Sequence, residues 1–189
     1  LFHRLGLNCF VFDYRGYGRS EGRPTEAGTY RDARAAYEWL RQSRGIPAEQ
    51  IVLFGRSLGG SVAAHLAAQV DARAAVVESA FTSYPDMGAR IYPYMPVRLF
   101  ARFRYNTAAH LAEARCPVLV MHSREDRLVP FKFGQRLFEA APEPKRFVEI
   151  QGDHNDGYMT SGDLYKNAWI EWLDFVGDNR LEPAVRETS

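Results

Sequence analysis

One serine of this chain has the surroundings that a nucleophile needs. Ser57 lies at the centre of the pentapeptide GRSLG at 55–59, with an apolar run before it at 51–54 and small residues after it at 60–64. This pattern predicts a strand that turns sharply into a helix, where glycines avoid the collision that a Cβ would cause and the serine is lifted to the crest. Its hydroxyl would lie at the positive end of the helix, with the amide of Leu58 directed at a developing oxyanion.

An acid and a base follow this serine in the chain, each just after an apolar run. Asp126 lies in the segment 122–130, and His154 lies in the segment 151–156. A serine hydroxyl is a poor nucleophile at neutral pH, so it needs a neutral imidazole to accept its proton and a carboxylate to orient that imidazole. The sequence therefore predicts Ser57 as nucleophile, Asp126 as acid and His154 as base.

Several residues beside these three have alternative roles. Asp126 could instead cap a helix that begins near 129–130, and Glu125 is its nearest competitor as the acid. Arg56, next to the serine, could brace a loop or contact a polar part of a substrate. His122 ends an apolar run, and we expect it to pack rather than to react.

Apolar runs alternate with amphipathic stretches along the chain. Strands are predicted at 8–12, 51–54, 74–77, 117–121 and 146–150. Helices are predicted from about 26 to 40, 58 to 69, 131 to 140 and 163 to 176. Such alternation predicts an α/β fold with a mainly parallel sheet that is flanked by helices on both faces and buries these runs. The carboxyl ends of the strands meet at one edge, which would bring Ser57, Asp126 and His154 together.

The segment from about 81 to 110 breaks this alternation. It holds three prolines and many aromatic residues, which predict a short helical cap over one end of the sheet, within a single domain spanning 1–189. Most of the aromatic side chains are expected to form a small core, with Phe81 and Tyr84 lining a substrate pocket. Three arginines are expected to form a solvated face rather than a contact for anionic lipid: Arg98, Arg102 and Arg104. A polar tail follows at 178–189.

The composition excludes several classes of protein. Of 189 residues, 46% are hydrophobic and 25% are charged, and the formal net charge of +1 does not indicate nucleic-acid binding. No apolar run approaches the ~18 residues of a membrane span. Cys9 and Cys116 are predicted to be buried free thiols in a reducing, cytoplasmic setting. No cysteine or histidine spacing fits a zinc site, and we expect neither a metal nor a cofactor.

Four ordered motifs give the chain a resemblance to a known family. They read DYRGYGRS at 13–20, GRSLGG at 55–60, HSREDRLVP at 122–130 and GDHN at 152–155. With these motifs the chain resembles an α/β-hydrolase-fold serine hydrolase over about residues 1–177, in the branch that includes bacterial esterases and eukaryotic acyl-protein thioesterases. The resemblance implies the same roles for Ser57, Asp126 and His154, in the order that this fold uses.

The resemblance also implies that the chain is short at its N-terminus. In this family the sheet order is 1-2-4-3-5-6-7-8, and the run at 8–12 resembles the fourth strand. The first three strands would then be absent, together with a loop that supplies the second oxyanion amide. Three explanations stay open: a longer gene product, direct pairing of 8–12 with the next strand, or a homodimer in which a second copy completes the sheet.

These features together predict a serine carboxylic-ester hydrolase. We expect small-molecule esters with short- to medium-chain acyl groups as substrates, because a short cap leaves a shallow pocket. An acyl-protein thioesterase is an alternative, since it uses the same three residues. A third hypothesis is a catalytically impaired hydrolase that only binds small apolar ligands, because losing one oxyanion donor costs about 10²–10³ in rate.

Overall fold

Four parallel strands form the centre of the molecule in a computed structural model that describes residues 1–96 and 101–178. The strands are β1 (Val52–Arg56), β2 (Ala74–Glu78), β3 (Val118–Ser123) and β4 (Lys145–Ile150). They are arranged in chain order, and each pairs with the next, so that Gly55 is in register with Val77 and Val77 with Val120. The predicted α/β fold with a parallel sheet is confirmed.

Helices connect the strands. In the described residues they are α1 (Glu26–Glu38), α2 (Leu58–Ala67), α3 (Tyr84–Ile91), α4 (Thr107–Ala112), α5 (Phe131–Ala140), α6 (Gly157–Thr160) and α7 (Gly162–Asp178). Short 3₁₀ turns lie at Phe2–Leu5 and Ala48–Gln50, and a π-helical turn, Trp39–Ser43, extends α1. Within 1–96 and 101–178, no helix has both the length and the apolarity that crossing a bilayer requires.

Buried side chains form an apolar layer on each face of the sheet. On one face, helices α1, α2, α4 and α5 pack against the strands, so that Leu53 shares a cluster with Val62, and Val120 with Leu137. On the other face, α7 contributes the indole of Trp169. Strands β2 and β3 are buried along their whole length because they are covered on both sides, as their continuous apolar sequences predict.

Helix α1 begins after a capping residue, Thr25, and it also contacts the loop that precedes it. The hydroxyl of Thr25 accepts a hydrogen bond from the amide of Gly28 at 3.0 Å, which satisfies one of the free donors of the first turn. The guanidinium of Arg15 reaches Asp32 on the same helix, with Nη2 2.6 Å from Oδ1. The glycine-rich loop at 13–20 is thereby fixed to α1.

The first predicted strand, at 8–12, is wrong. The segment pairs with none of the four strands, and Val11 is 86% exposed. Phe10 instead stacks on Trp39, with ring centroids 5.0 Å apart. A strand is stable only where a neighbour completes its ladder of hydrogen bonds, and among the described strands β1 pairs only with β2. Direct pairing of 8–12 with the next strand is therefore excluded.

The two cysteines have different environments. Both are free thiols, and Cys116 is buried at the entry to β3, as predicted. Cys9 is exposed, so its predicted burial is wrong, for the same reason that the segment around it is not a strand. Burial raises the pKa of the Cys116 thiol to about 12.

The segment 81–110 divides into two parts. Helix α3 buries Pro85 and Met87 and is followed by the exposed residues 92–96. Helix α4 instead packs on α2, where the hydroxyl oxygens of Thr107 and Ser61 are 2.6 Å apart. Arg98 and the tail at 179–189 lie outside the described residues.

Candidate active site

Ser57 occupies a strained turn between β1 and α2. Its φ and ψ are 54° and −119°, with a positive φ that residues other than glycine rarely adopt. Gly55 permits the turn, because a Cβ at that position would lie 2.0 Å from the carbonyl oxygen of Gly59. The neighbouring strand holds the turn in place, since the amide of Ser57 donates to the carbonyl of Glu78 at 2.9 Å.

The side chains of Ser57, His154 and Asp126 form a continuous chain of hydrogen bonds. Ser57 Oγ lies 3.0 Å from His154 Nε2, and His154 Nδ1 lies 2.8 Å from Asp126 Oδ2. A neutral imidazole with its proton on Nδ1 donates to the carboxylate and leaves Nε2 able to accept the serine proton. Asp126 and His154 are only 6% and 8% exposed, which limits competition from water. This arrangement can activate a hydroxyl nucleophile.

Each of these residues follows the carboxyl end of a different strand. Ser57 follows β1, Asp126 lies in the loop after β3, and His154 lies in the loop after β4. The structure therefore brings together all three of the side chains that the sequence singles out, at the edge of the sheet where parallel α/β folds place their sites.

Asp126 uses one carboxylate oxygen for the imidazole and the other for its own loop. Oδ1 accepts hydrogen bonds from the amides of Leu128 and Val129 at 2.9 and 2.7 Å. Both amides precede α5, whose N-cap is Pro130 and receives no side-chain hydrogen bond, so Asp126 does not cap this helix. Glu125, the competing acid, is directed elsewhere, because its Oε2 accepts from the amide of Gly152 at 2.9 Å.

His122 lies fully buried beneath the same carboxylate. Its Nε2 donates to the carbonyl of Val129 at 2.9 Å and lies 3.6 Å from Asp126 Oδ2. Burial lowers the pKa of His122 below that of a free histidine, so the ring is neutral near pH 7. A neutral ring does not compete with His154 for the charge of Asp126, and it anchors the loop that carries this acid.

An ion pair joins the acid loop to the base loop. Arg127 Nε donates to Asp153 Oδ2 at 2.6 Å, and Asp153 Oδ1 accepts from the amides of Arg127 and His154 at 3.0 and 2.8 Å. These amide hydrogen bonds, with the guanidinium, lower the pKa of Asp153 to about 2. Because the Arg127 side chain is 87% exposed, solvent screens its charge, and the hydrogen bond from the Arg127 amide to Asp153 holds the two loops together.

The sequence does not single out a buried carboxyl group that lies beside the turn at Ser57. Glu78 ends β2, is 2% exposed and accepts a hydrogen bond from the hydroxyl of Tyr165 at 2.5 Å. Desolvation raises the pKa of Glu78, whereas the nearby side chains of Arg56 and His154 act in the opposite direction. Arg56 also reaches the base loop, with Nη2 3.4 Å from the side-chain oxygen of Asn155. The signal for this group in the sequence is a glutamate at the end of an apolar strand. Its hydrogen-bond partner Tyr165, however, lies 87 residues away in the chain.

The residues predicted to contact substrate differ in their placement. Leu58 is the first residue of α2, so its amide lies at the helix N-terminus beside the serine. Arg56 contacts Asn155, as the bracing alternative requires. Phe81 is only 5% exposed and packs in the core, whereas Tyr84 is 45% exposed, with its ring 5.8 Å from that of Phe81.

The surface beside the imidazole is open. A depression of about 500 Å³ borders His154 and is lined by residues 127–128 and 153–156. Among residues 1–96 and 101–178, no group of three or more histidine, cysteine, aspartate or glutamate side chains could hold a metal ion.

A parallel sheet between two layers of helices, with a serine in a tight strand-to-helix turn at its carboxyl edge, defines a class of α/β proteins. Comparisons with known proteins identify the family. Residues 1–87 match the family described as alpha/beta hydrolase fold. The chain is 32% identical over 206 residues to the Arabidopsis thaliana alpha/beta hydrolase domain-containing protein WAV2, covering 98% of this chain and 67% of WAV2. The chain therefore belongs to the alpha/beta hydrolase fold family.

The chain is also similar to another relative and to two solved structures. An uncharacterised protein of Mycobacterium tuberculosis is 42% identical over 172 residues, which are 90% of this chain but 61% of that protein. The chain thus spans about three fifths of the length of this relative. Among solved structures, an alpha-beta hydrolase from Vibrio vulnificus has a TM-score of 0.65 at 22% identity, covering 86% of this chain and 61% of its own. The esterase domain of a Rhodothermus marinus protein has a TM-score of 0.57 at 26% identity, covering 80% and 70%.

Proposed function

We propose that this chain is a serine hydrolase that cleaves carboxylic esters. Ser57 is the nucleophile, His154 is the general base, and Asp126 orients the imidazole. The observation that carries the proposal is the 3.0 Å contact between Ser57 Oγ and His154 Nε2, made by a serine with positive φ. A serine that merely fills a turn requires neither the backbone strain nor a buried histidine and carboxylate behind it.

In the proposed reaction, Ser57 Oγ attacks the carbonyl carbon of the ester while His154 Nε2 takes the hydroxyl proton. The tetrahedral intermediate then collapses, the bond to the leaving alcohol breaks, and the imidazolium returns the proton to that alcohol. Water attacks the acyl-enzyme with the same base, which releases the carboxylic acid and restores the hydroxyl. The amide of Leu58 stabilises the oxyanion in both halves of the reaction.

Esters with short- to medium-chain acyl groups are the proposed substrates. The open depression beside His154 supports this choice, because it offers little enclosed apolar surface for a long chain. The likeness to the Rhodothermus marinus esterase domain supports ester substrates. Thioesters react through the same groups, so they form the second arm of the test below.

The test is hydrolysis of p-nitrophenyl acetate, butyrate and laurate, compared with an acyl-thioester, after passage through a sizing column. Ser57→Ala is expected to lower kcat by about 10⁴–10⁶, because no other group replaces the nucleophile. Ser61→Ala is the matched control, since its hydroxyl bonds to Thr107 and not to His154. Labelling by a fluorophosphonate probe, lost in Ser57→Ala and kept in Ser61→Ala, reports activation of the serine directly.

The outcomes separate the hypotheses. Faster turnover of laurate than of acetate would contradict the proposed chain length, and faster turnover of the thioester would replace the esterase by a thioesterase. A folded wild-type protein that neither turns over nor labels would establish the impaired hydrolase. Activity that elutes only with a dimer would show that a second copy completes the site, as the unpartnered edge of β1 predicts.

A further inference from the structure

The stretch that follows α3 exposes large apolar side chains without interruption. We call residues 90–96 the cap surface. Four of its side chains are more than half exposed: Ile91 56%, Tyr92 56%, Tyr94 99% and Met95 61%. Single exposed apolar residues are ordinary on a protein surface, but contiguous ones mark a site of interaction. Helix α3 anchors the stretch, because Met87 packs into the core.

The sequence around the cap surface is rich in arginine. Between Asp86 and Glu113 the sequence contains no aspartate, glutamate or lysine, whereas it contains four arginines: Arg90, Arg98, Arg102 and Arg104. The whole chain has a net charge of only +1, so this segment is a local concentration of positive charge. Arg90 and Arg102 are exposed to solvent. Within the cap surface, the exposed apolar side chains therefore lie next to the exposed Arg90 in the chain.

We infer that the cap surface docks on the headgroup region of an anionic lipid bilayer. Tyrosine side chains favour this region because the ring is apolar and the hydroxyl is polar. Basic residues beside them are attracted by the negative potential of such a membrane. For Arg102, which is exposed, this replaces the solvated face that the sequence alone favoured. Arg98 lies outside the described residues.

The shape of the cap surface favours lipid over an acidic protein partner. At 99% exposure, the Tyr94 side chain protrudes from the molecule rather than lining a groove. A protruding apolar group can insert into a soft lipid surface, whereas a protein partner would have to supply a fitted pocket. Helix α3 follows the carboxyl end of β2, the same edge of the sheet that carries Ser57. Docking would therefore bring the site edge towards the bilayer.

Sedimentation with vesicles tests the proposal without reference to turnover. The full chain is mixed with phosphatidylcholine vesicles that contain, or lack, about a third phosphatidylserine, at low and at high salt. Binding is expected on the anionic vesicles, with salt weakening it, because each arginine near such a surface contributes about fivefold to partitioning. Arg90→Gln with Arg102→Gln is expected to lower binding about 25-fold, and Tyr94→Ser with Met95→Ser at least about tenfold.

Matched variants elsewhere on the surface control for charge and apolarity. Arg136→Gln removes an exposed arginine on α5, and Val11→Ser removes an apolar side chain that is 86% exposed. Both are expected to bind vesicles as the wild type does. No binding to anionic vesicles, equal binding to neutral ones, or equal losses in the control variants would each overturn the proposal. It would also be overturned if Tyr94→Ser with Met95→Ser converted a dimer into a monomer, since the cap surface would then be a contact between copies.

Discussion

The two edge strands of the sheet, β1 and β4, differ in composition. The nucleophile follows β1, whereas the acid and the base follow β3 and β4. The outer strand β4 carries charged side chains, including Lys145, Arg146 and Glu149, which discourage pairing with a further strand. The opposite edge, β1, presents the apolar side chains Val52 and Phe54, with Phe54 41% exposed. β4 therefore has the composition of a terminal strand, and β1 that of an interior strand.

The chemistry of the site is divided between these two regions. The acid and the base belong to loops after β3 and β4, which are joined by hydrogen bonds from Arg127 to Asp153 and from Gly152 to Glu125. The serine belongs to β1, beside the exposed segment at 8–12 and an apolar groove of about 120 Å³. The acid–base half is thus complete in this chain, and the nucleophile lies on the half that would accept another strand.

The largest effect is expected from a substitution of the acid in the acid–base half. Asp126→Asn is expected to lower kcat/KM for p-nitrophenyl butyrate by about 10⁴, because an amide holds the imidazole in the wrong tautomer. Glu125→Gln, the neighbouring carboxylate, is expected to retain activity within about tenfold. Equal losses in the two variants would show that loop structure, and not the carboxylate of Asp126, is what matters.

Thiol labelling compares the two regions in the native protein. Cys9 is exposed and Cys116 is buried with a pKa raised to about 12, so Cys9 is expected to react with a maleimide at least about 10³ times faster near neutral pH. Mass spectrometry after tryptic digestion measures both rates. Slow labelling of Cys9 would mean that the segment at 8–12 is covered in solution, which a second copy would explain.

Stability should also differ between the two regions. Leu119→Ala in β3 is expected to cost about 2–5 kcal/mol of the free energy of unfolding, because the side chain is fully buried and leaves a cavity. Val11→Ala is expected to change it by no more than about 0.5 kcal/mol. Urea denaturation measures both. A loss of several kcal/mol in Val11→Ala would contradict the exposed placement of this segment.

The smallest expected effect is a pH dependence from His122. Burial lowers the pKa of His122 in the folded state, whereas in the unfolded chain this pKa is about 6.5. As pH falls below that value, the unfolded state takes up a proton that the folded state refuses, so stability falls by up to about 1.4 kcal/mol per pH unit. His122→Gln should flatten this dependence, measured by urea titrations between pH 7 and 5. His65 and His110 also have lowered pKa values, and they remain unchanged in that comparison.

How far the sequence predicts this molecule depends on how local the relevant contacts are. The elbow at 55–59 is predictable because a strand, a turn and a helix follow one another, and each leaves its own pattern. The three strand ends that carry the serine, the acid and the base follow from alternation and from the parallel sheet.

The sequence-based predictions fail where contacts with residues that are distant in the chain determine the structure. The run at 8–12 has the apolar pattern of a buried strand, but burial depends on a neighbour that its own residues do not encode. The hydrogen bond between Tyr165 and Glu78 joins two elements that give no sign of each other in the sequence. Similarly, the break at 81–110 indicates a cap, but only the packing of Thr107 against Ser61 shows that α4 belongs to the helical layer.

The order of the strands has a consequence for how the chain folds during synthesis. Because each of the four described strands pairs with the one made just before it, none of these four has to be inserted between two earlier ones. The contact between Ser57 and His154, in contrast, spans 97 residues. A growing chain therefore contains Ser57 long before the base arrives, and the serine hydroxyl stays inert until His154 has been translated.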